Sequence, residues 1–191
     1  MAPQAAIPAE DRLIVALDVP TASAARELVN VLDDTVAFYK VGLELFMSGD
    51  AFGLVNWLAE RDKRVFVDLK FFDVPATVGR AVSQLNGLGI TFATIHGNDA
   101  IMQAAAAAAE DVGILAVTVL TSMEGADLEQ IGVMDEPNVQ VQRLAELAKR
   151  SGMDGVVCSA REAAMLKDAC GRQFELVTPG IRPAGADAGD Q

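Results

Sequence analysis

Soft metal ligands are scarce in this chain of 191 residues, which holds two cysteines and one histidine. A zinc or iron site built from Cys and His would have too few ligands to draw on. Cys158 and Cys170 stand too far apart for a C-x-x-C pair, and so few thiols point to a reducing compartment, the cytoplasm. Cations are also few. Fifteen Lys and Arg face 27 Asp and Glu, a net charge of −12, so the general field repels phosphates and argues against a nucleic-acid partner. Long apolar runs are missing as well: the strongest, at 114–120, falls far short of the roughly 20 residues a membrane helix needs. The start, MAPQAAIPAEDR, has no basic residue before Arg12 and no apolar stretch of signal-peptide type. What remains is a globular composition, 51% hydrophobic and 22% charged. It reads as one domain over 1–191 with an N-terminal extension at 1–11. A core of that size needs neither disulfide nor metal to hold it.

Short β-branched runs alternate with longer helix-like segments. Strands are expected near 13–18, 36–41, 64–70, 91–96, 113–119, 155–158 and 174–178. Helices are expected near 22–33, 50–61, 75–88, 99–110, 137–151 and 161–170, with Thr21 and Ser159 as N-caps. The alanine run at 104–109 reads as a small-residue packing face of a helix.

Strands apolar on both faces, each followed by a helix, make a parallel sheet covered by helices. Either an open doubly wound sheet or a closed (β/α)8 TIM barrel fits. A dinucleotide-binding open sheet should carry G-x-G-x-x-G after its first strand, and here Asp18-Val19-Pro20-Thr21 follows instead. Asp18, Lys40, Asp68 with Lys70, and His96 each stand where an apolar run stops. In a barrel those strand ends converge on one mouth, so the barrel is favoured. Seven strands can be counted where a barrel has eight, and Gly189-Asp190-Gln191 reads as loop, so the C-terminal strand is expected to be missing from this chain.

The stretch Val65–Thr77, VFVDLKFFDVPAT, carries the most chemistry. Strand side chains alternate, so Asp68 and Lys70 share a face. Among Val67, Leu69 and Phe71 such charges are tolerable only when paired, and Lys40 and Asp18 on neighbouring strands supply further partners. The array is either a salt-bridge network at the barrel mouth or a reaction site.

The pattern Asp68-x-Lys70-x-x-Asp73-Val74-Pro75-x-Thr77 resembles the orotidine 5′-phosphate decarboxylase family. So do Ala16-Leu17-Asp18, Tyr39-Lys40-Val41-Gly42, Val119-Leu120-Thr121-Ser122, Thr178-Pro179-Gly180-Ile181-Arg182-Pro183 and the closing Gly189-Asp190-Gln191. One departure is Phe72, where many bacterial members carry His.

The resemblance implies a homodimeric barrel enzyme that converts orotidine 5′-monophosphate to uridine 5′-monophosphate in pyrimidine synthesis, with no metal and no organic cofactor. It implies Lys40, Asp68 and Lys70 acting from one subunit, Asp73 reaching in from the other, and Lys70 protonating C6. Asp18 would bind ribose hydroxyls, Thr121 or Ser122 the pyrimidine edge, Thr77 would cross the dimer interface, and Arg182 and Gln191 would grip phosphate. His96 reads as a hydrogen-bonded structural histidine, and Arg172 and the acidic run at 127–129 as solvated surface. Two other readings stay open: a metal-dependent sugar-phosphate aldolase or decarboxylase with the same D-x-K-x-x-D, and a non-catalytic, shortened barrel.

Overall fold

The computed structural model describes residues 7–182. Its strands are β1 (Val15–Ala16), β2 (Phe38–Gly42), β3 (Arg64–Phe71), β4 (Ile90–Ile95), β5 (Gly113–Val117), β6 (Gly155–Val157) and β7 (Glu175–Val177). The helices are α1 (Ala9–Arg12), α2 (Ala22–Leu32), α3 (Leu43–Phe46), α4 (Ala51–Ala59), α5 (Pro75–Ser83), α6 (Asp99–Ala108), α7 (Gly125–Gln130), α8 (Pro137–Arg150) and α9 (Ala163–Cys170). The strands follow one another in the sheet in chain order, β1 to β7. Each ladder among β1, β2 and β3, and among β5, β6 and β7, is parallel. A doubly wound sheet would reverse its strand order at a switch point. Sequential order with helical crossovers is the barrel topology.

The chain forms two compact units. The first holds the described residues up to Lys70 with Arg80–Thr94 and Ala108–Gly113. Thr21 caps α2, its hydroxyl accepting the Ala24 N–H at 3.2 Å, and Ala22, Ala25 and Val29 form the buried stripe of that helix. In the β2·β3 register Phe38 lies beside Arg64, Lys40 beside Phe66, and Gly42 beside Asp68, and residues so paired share a face. That face is layered. Phe92 meets Phe38 and Phe66 at ring distances of 6.0 and 6.4 Å, and the charged side chains stand at the carboxyl ends beyond these rings. The apolar layer leaves the ammonium and carboxylate groups only the strand ends, where water or a polar ligand can reach them. α1 is tied down at the other end, where Asp11 pairs with Arg64 at 2.6 Å.

The second unit holds Phe71–Gly79, Ile95–Ala107 and the described residues from Ile114 onward. Ser159 caps the short 3-10 turn Ala160–Glu162 that leads into α9, and the Glu162 carboxylate returns to accept the Ser159 N–H at 2.8 Å. α8 begins with Pro137 and buries Val141, Ala145 and Ala148. A Cβ at Gly155 would stand 2.2 Å from the Glu175 carbonyl oxygen, so β6 can lie against β7 there only as glycine. The alanine run of α6 is a packing face: a Cβ at Gly79 would lie 3.3 Å from the Ala104 carbonyl oxygen, and one at Gly152 3.4 Å from the Ala106 Cβ.

Some expected bounds shift. The helix expected to reach residue 88 stops at Ser83, and residues 84–89 form turns, with Gly87 and Gly89 at φ 75° and 71°. There Asn86 donates to the Ala108 carbonyl and accepts the Glu110 N–H, long-range bonds that tie this turn to the chain after α6. β1 is two residues where six were expected, although the Leu17 N–H still reaches the Lys40 carbonyl at 2.9 Å. α1, α3 and α7 are additions too short to show a helical period. The acidic run at 127–129 lies in α7, where Glu124 and Asp127 form a capping box and Leu128 is buried.

Candidate active site

Three strand ends in the first unit deliver one chain of ion pairs. Lys40 Nζ lies 3.1 Å from Asp18 Oδ1 and 3.8 Å from Asp68 Oδ2, and Asp68 Oδ1 takes Lys70 Nζ at 2.9 Å. The order is Asp18, Lys40, Asp68, Lys70, with alternating sign and no net charge. Exposure is graded along it: the Asp68 side chain is 15% exposed, Lys40 21%, Lys70 40% and Asp18 62%. The inner pair is therefore fixed, while the two ends open to solvent. An ammonium so held can stabilise negative charge on a neighbouring carbon and then deliver a proton to it.

Gly42 makes room for this arrangement. It lies two residues beyond Lys40 on the same strand, and a Cβ there would stand 3.0 Å from Lys40 Nζ and 3.4 Å from Asp18 Oδ1. Lys70 departs from strand geometry, with φ of 50° at the end of β3. For a residue with a side chain that left-handed conformation costs roughly 1–2 kcal/mol, and such strain collects at functional sites. The Lys70 N–H goes to the Thr94 hydroxyl at 2.9 Å, and that hydroxyl donates to Asp68 Oδ1 at 2.9 Å. Nothing in the sequence singles out Thr94, because a threonine inside a strand is ordinary.

The remaining expected site residues that are described belong to the second unit. Asp73 is exposed just past β3, and its Oδ1 accepts the Val74 N–H at 2.6 Å. Thr77 is half-buried in the first turn of α5, its N–H donating to the Val74 carbonyl at 2.9 Å. Thr121 and Ser122 are exposed in the turn after β5, and Arg182 is exposed on the segment after β7. Gln191 lies outside the described residues. His96 has the structural place expected of it: Nδ1 is 3.1 Å from the Val117 carbonyl oxygen, and its ring lies 5.5 Å from that of Phe72. Arg172 is exposed, and its carbonyl accepts from Lys167 Nζ at 2.9 Å. Among the described residues, no group of three or more His, Cys, Asp or Glu is placed to hold a metal ion. Among them, too, no helix is long and apolar enough to cross a membrane.

Residues 11–191 match the family model described as orotidine 5′-phosphate decarboxylase / HUMPS family. A Methylococcus capsulatus protein named orotidine 5′-phosphate decarboxylase is 56% identical over 177 residues, 93% of this chain and 73% of its own length. One of the same name from Alcanivorax borkumensis is 53% identical, over 94% of this chain and 80% of its own. The crystal structure of orotidine 5′-phosphate decarboxylase from Lactobacillus acidophilus superposes with a TM-score of 0.82 at 36% identity, covering 90% of this chain and 82% of that one.

Proposed function

The chain belongs to the orotidine 5′-phosphate decarboxylase / HUMPS family, and on that premise we propose how its residues carry the reaction. It is a carboxy-lyase that takes orotidine 5′-monophosphate to uridine 5′-monophosphate in pyrimidine biosynthesis.

Breaking the bond between C6 and the carboxylate leaves its electron pair on a ring carbon with no adjacent sink. The Lys70 ammonium stands against that developing charge, then gives C6 its proton and recovers one from solvent. Asp68 holds Lys70 in place and, beside the substrate carboxylate, disfavours the bound ground state relative to the carbanion. Lys40, between Asp18 and Asp68, orders the array and contacts substrate, and Asp18 accepts from the ribose hydroxyls. Thr121 or Ser122 reads the pyrimidine edge. Arg182, on the segment after the seventh strand, binds phosphate, a common barrel placement, with Gln191 as a second donor. Asp73 and Thr77 complete the site of a partner copy in a two-fold homodimer; their position at the rim past β3 supports this part. The reaction needs no metal or organic cofactor, and the enzyme works in the cytoplasm, where Cys158 and Cys170 stay reduced.

The observation that carries this reading is the unbroken chain of ion pairs from Asp18 to Lys70 at the strand ends. Its test is the loss of absorbance as orotidine 5′-monophosphate is consumed, with and without excess EDTA. Equal rates support it. Activity that vanishes with chelator and returns with Mg²⁺ counts against it.

A further inference from the structure

Thr94 is fully buried in β4, between Ala93 and Ile95, which are equally buried. A hydroxyl has one proton to give and lone pairs to receive with. Thr94 gives its proton to Asp68 Oδ1 and receives the Lys70 N–H, both at 2.9 Å. Asp68 Oδ1 also accepts Lys70 Nζ at 2.9 Å, so a closed ring runs from the Thr94 hydroxyl through Asp68 and the Lys70 side chain back to the Lys70 backbone. The ring constrains two freedoms together. Two donors on one oxygen stop the Asp68 carboxylate from turning, and the bond to the Lys70 N–H holds that residue at φ 50°. An extended Lys70 would aim its side chain along a different path, since φ sets where Cβ points.

We infer that Thr94 is a positioning residue, whose hydroxyl fixes both the Asp68 carboxylate and the Lys70 backbone so that the Lys70 ammonium occupies one place. The inference rests on the role of Lys70 proposed above. Thr94 touches no substrate atom in this role and acts only through its two neighbours.

The test compares Thr94→Val, which keeps shape and loses the hydroxyl, with Thr94→Ser, which keeps the hydroxyl. A misplaced catalytic group costs on the order of 10²-fold, so Thr94→Val should lower kcat by about that factor. KM for orotidine 5′-monophosphate should stay near that of the parent, and Thr94→Ser should recover most of kcat. A crystal structure of Thr94→Val should show Lys70 relaxed to negative φ. Thr94→Ala supplies the same comparison if the valine variant fails to fold. Unchanged kcat in Thr94→Val, equal losses in the serine and valine variants, or a loss confined to KM would each overturn the inference. If the parent chain fails to turn over the nucleotide, the proposed function fails instead. The variant crystal structure then decides about Thr94 alone, and an unchanged Lys70 φ overturns it.

Discussion

Gly42 and Lys40 lie on one face of β2, so close that a Cβ on Gly42 would stand 3.0 Å from the Lys40 ammonium nitrogen. The neighbour is the far end of a flexible side chain, so a small addition moves it and a larger one displaces it from Asp18. Gly42 has φ of −93°, which any residue adopts without strain. Gly42→Ala should therefore cost only a few-fold in kcat/KM, and Gly42→Val about 10-fold or more, since misplaced charged groups lose their alignment with substrate. Melting temperatures should change little in either. Steady-state kinetics beside thermal melts check this, and a Gly42→Val enzyme with parental kcat/KM would refute it.

Lys70 separates catalysis from backbone strain. Removing the residue proposed as general acid and charge stabiliser should cost at least about 10³-fold in kcat, so Lys70→Ala and Lys70→Gly should both be nearly inactive. Their stabilities should differ, because glycine accepts positive φ and alanine does not. Lys70→Gly should be more stable than Lys70→Ala by about 1 kcal/mol in urea titration. Equal stability would mean that the left-handed conformation is not held in the folded protein.

The proposal that two copies share their sites is tested by mixing two variants. Lys70→Ala and Asp73→Ala should each be inactive alone. After subunit exchange about half the dimers are mixed, and each has one site with both lesions and one with neither, so about a quarter of parental activity should return. Confirmed exchange without recovery would show that Asp73 serves its own subunit.

Arg182 is proposed above to bind phosphate. Arg182→Ala should lower kcat/KM for the nucleotide by about 10²-fold, the scale of a lost charge-assisted contact, and leave turnover of the nucleoside orotidine unchanged. A parallel loss with both substrates would place Arg182 elsewhere in the mechanism.

Cys158 gives a pH prediction. Burial first, then the nearby Glu162 carboxylate, push its thiol from 9.0 up to about 12. Between those values the unfolded thiol ionises while the folded one keeps its proton. The folded state then binds more protons, and stability falls as pH rises through that window. Below pH 9 the contribution is complete. Urea titrations from pH 8 to 11 should show a fall that Cys158→Ala lessens. Iodoacetamide should leave the folded thiol unlabelled at pH 8 and label it after denaturation, with intact mass as readout.

Much of the site was legible because strand periodicity is short-range information. Asp68 and Lys70, two apart in an apolar run, had to share a face, and Thr21 and Ser159 announced their caps by residue type alone. The short helices α1, α3 and α7 gave no such signal, since one turn contains no repeat to detect. The end of α5 was hidden for another reason: its stop depends on Asn86 bonding to residues more than twenty positions away.

The sequence by itself determined the alternation of strand and helix, the family, and which charged residues stand at strand ends, because periodicity, capping chemistry and motif spacing are written in neighbouring residues. Tertiary structure alone decided which charge meets which. That Lys40 bridges Asp18 and Asp68, that Gly42 leaves room for the Lys40 ammonium, and that Thr94 holds Lys70 in a left-handed turn all depend on the register between strands. Register fixes distances between residues 22 to 28 positions apart, and no local pattern encodes a distance of 2.9 Å across that separation.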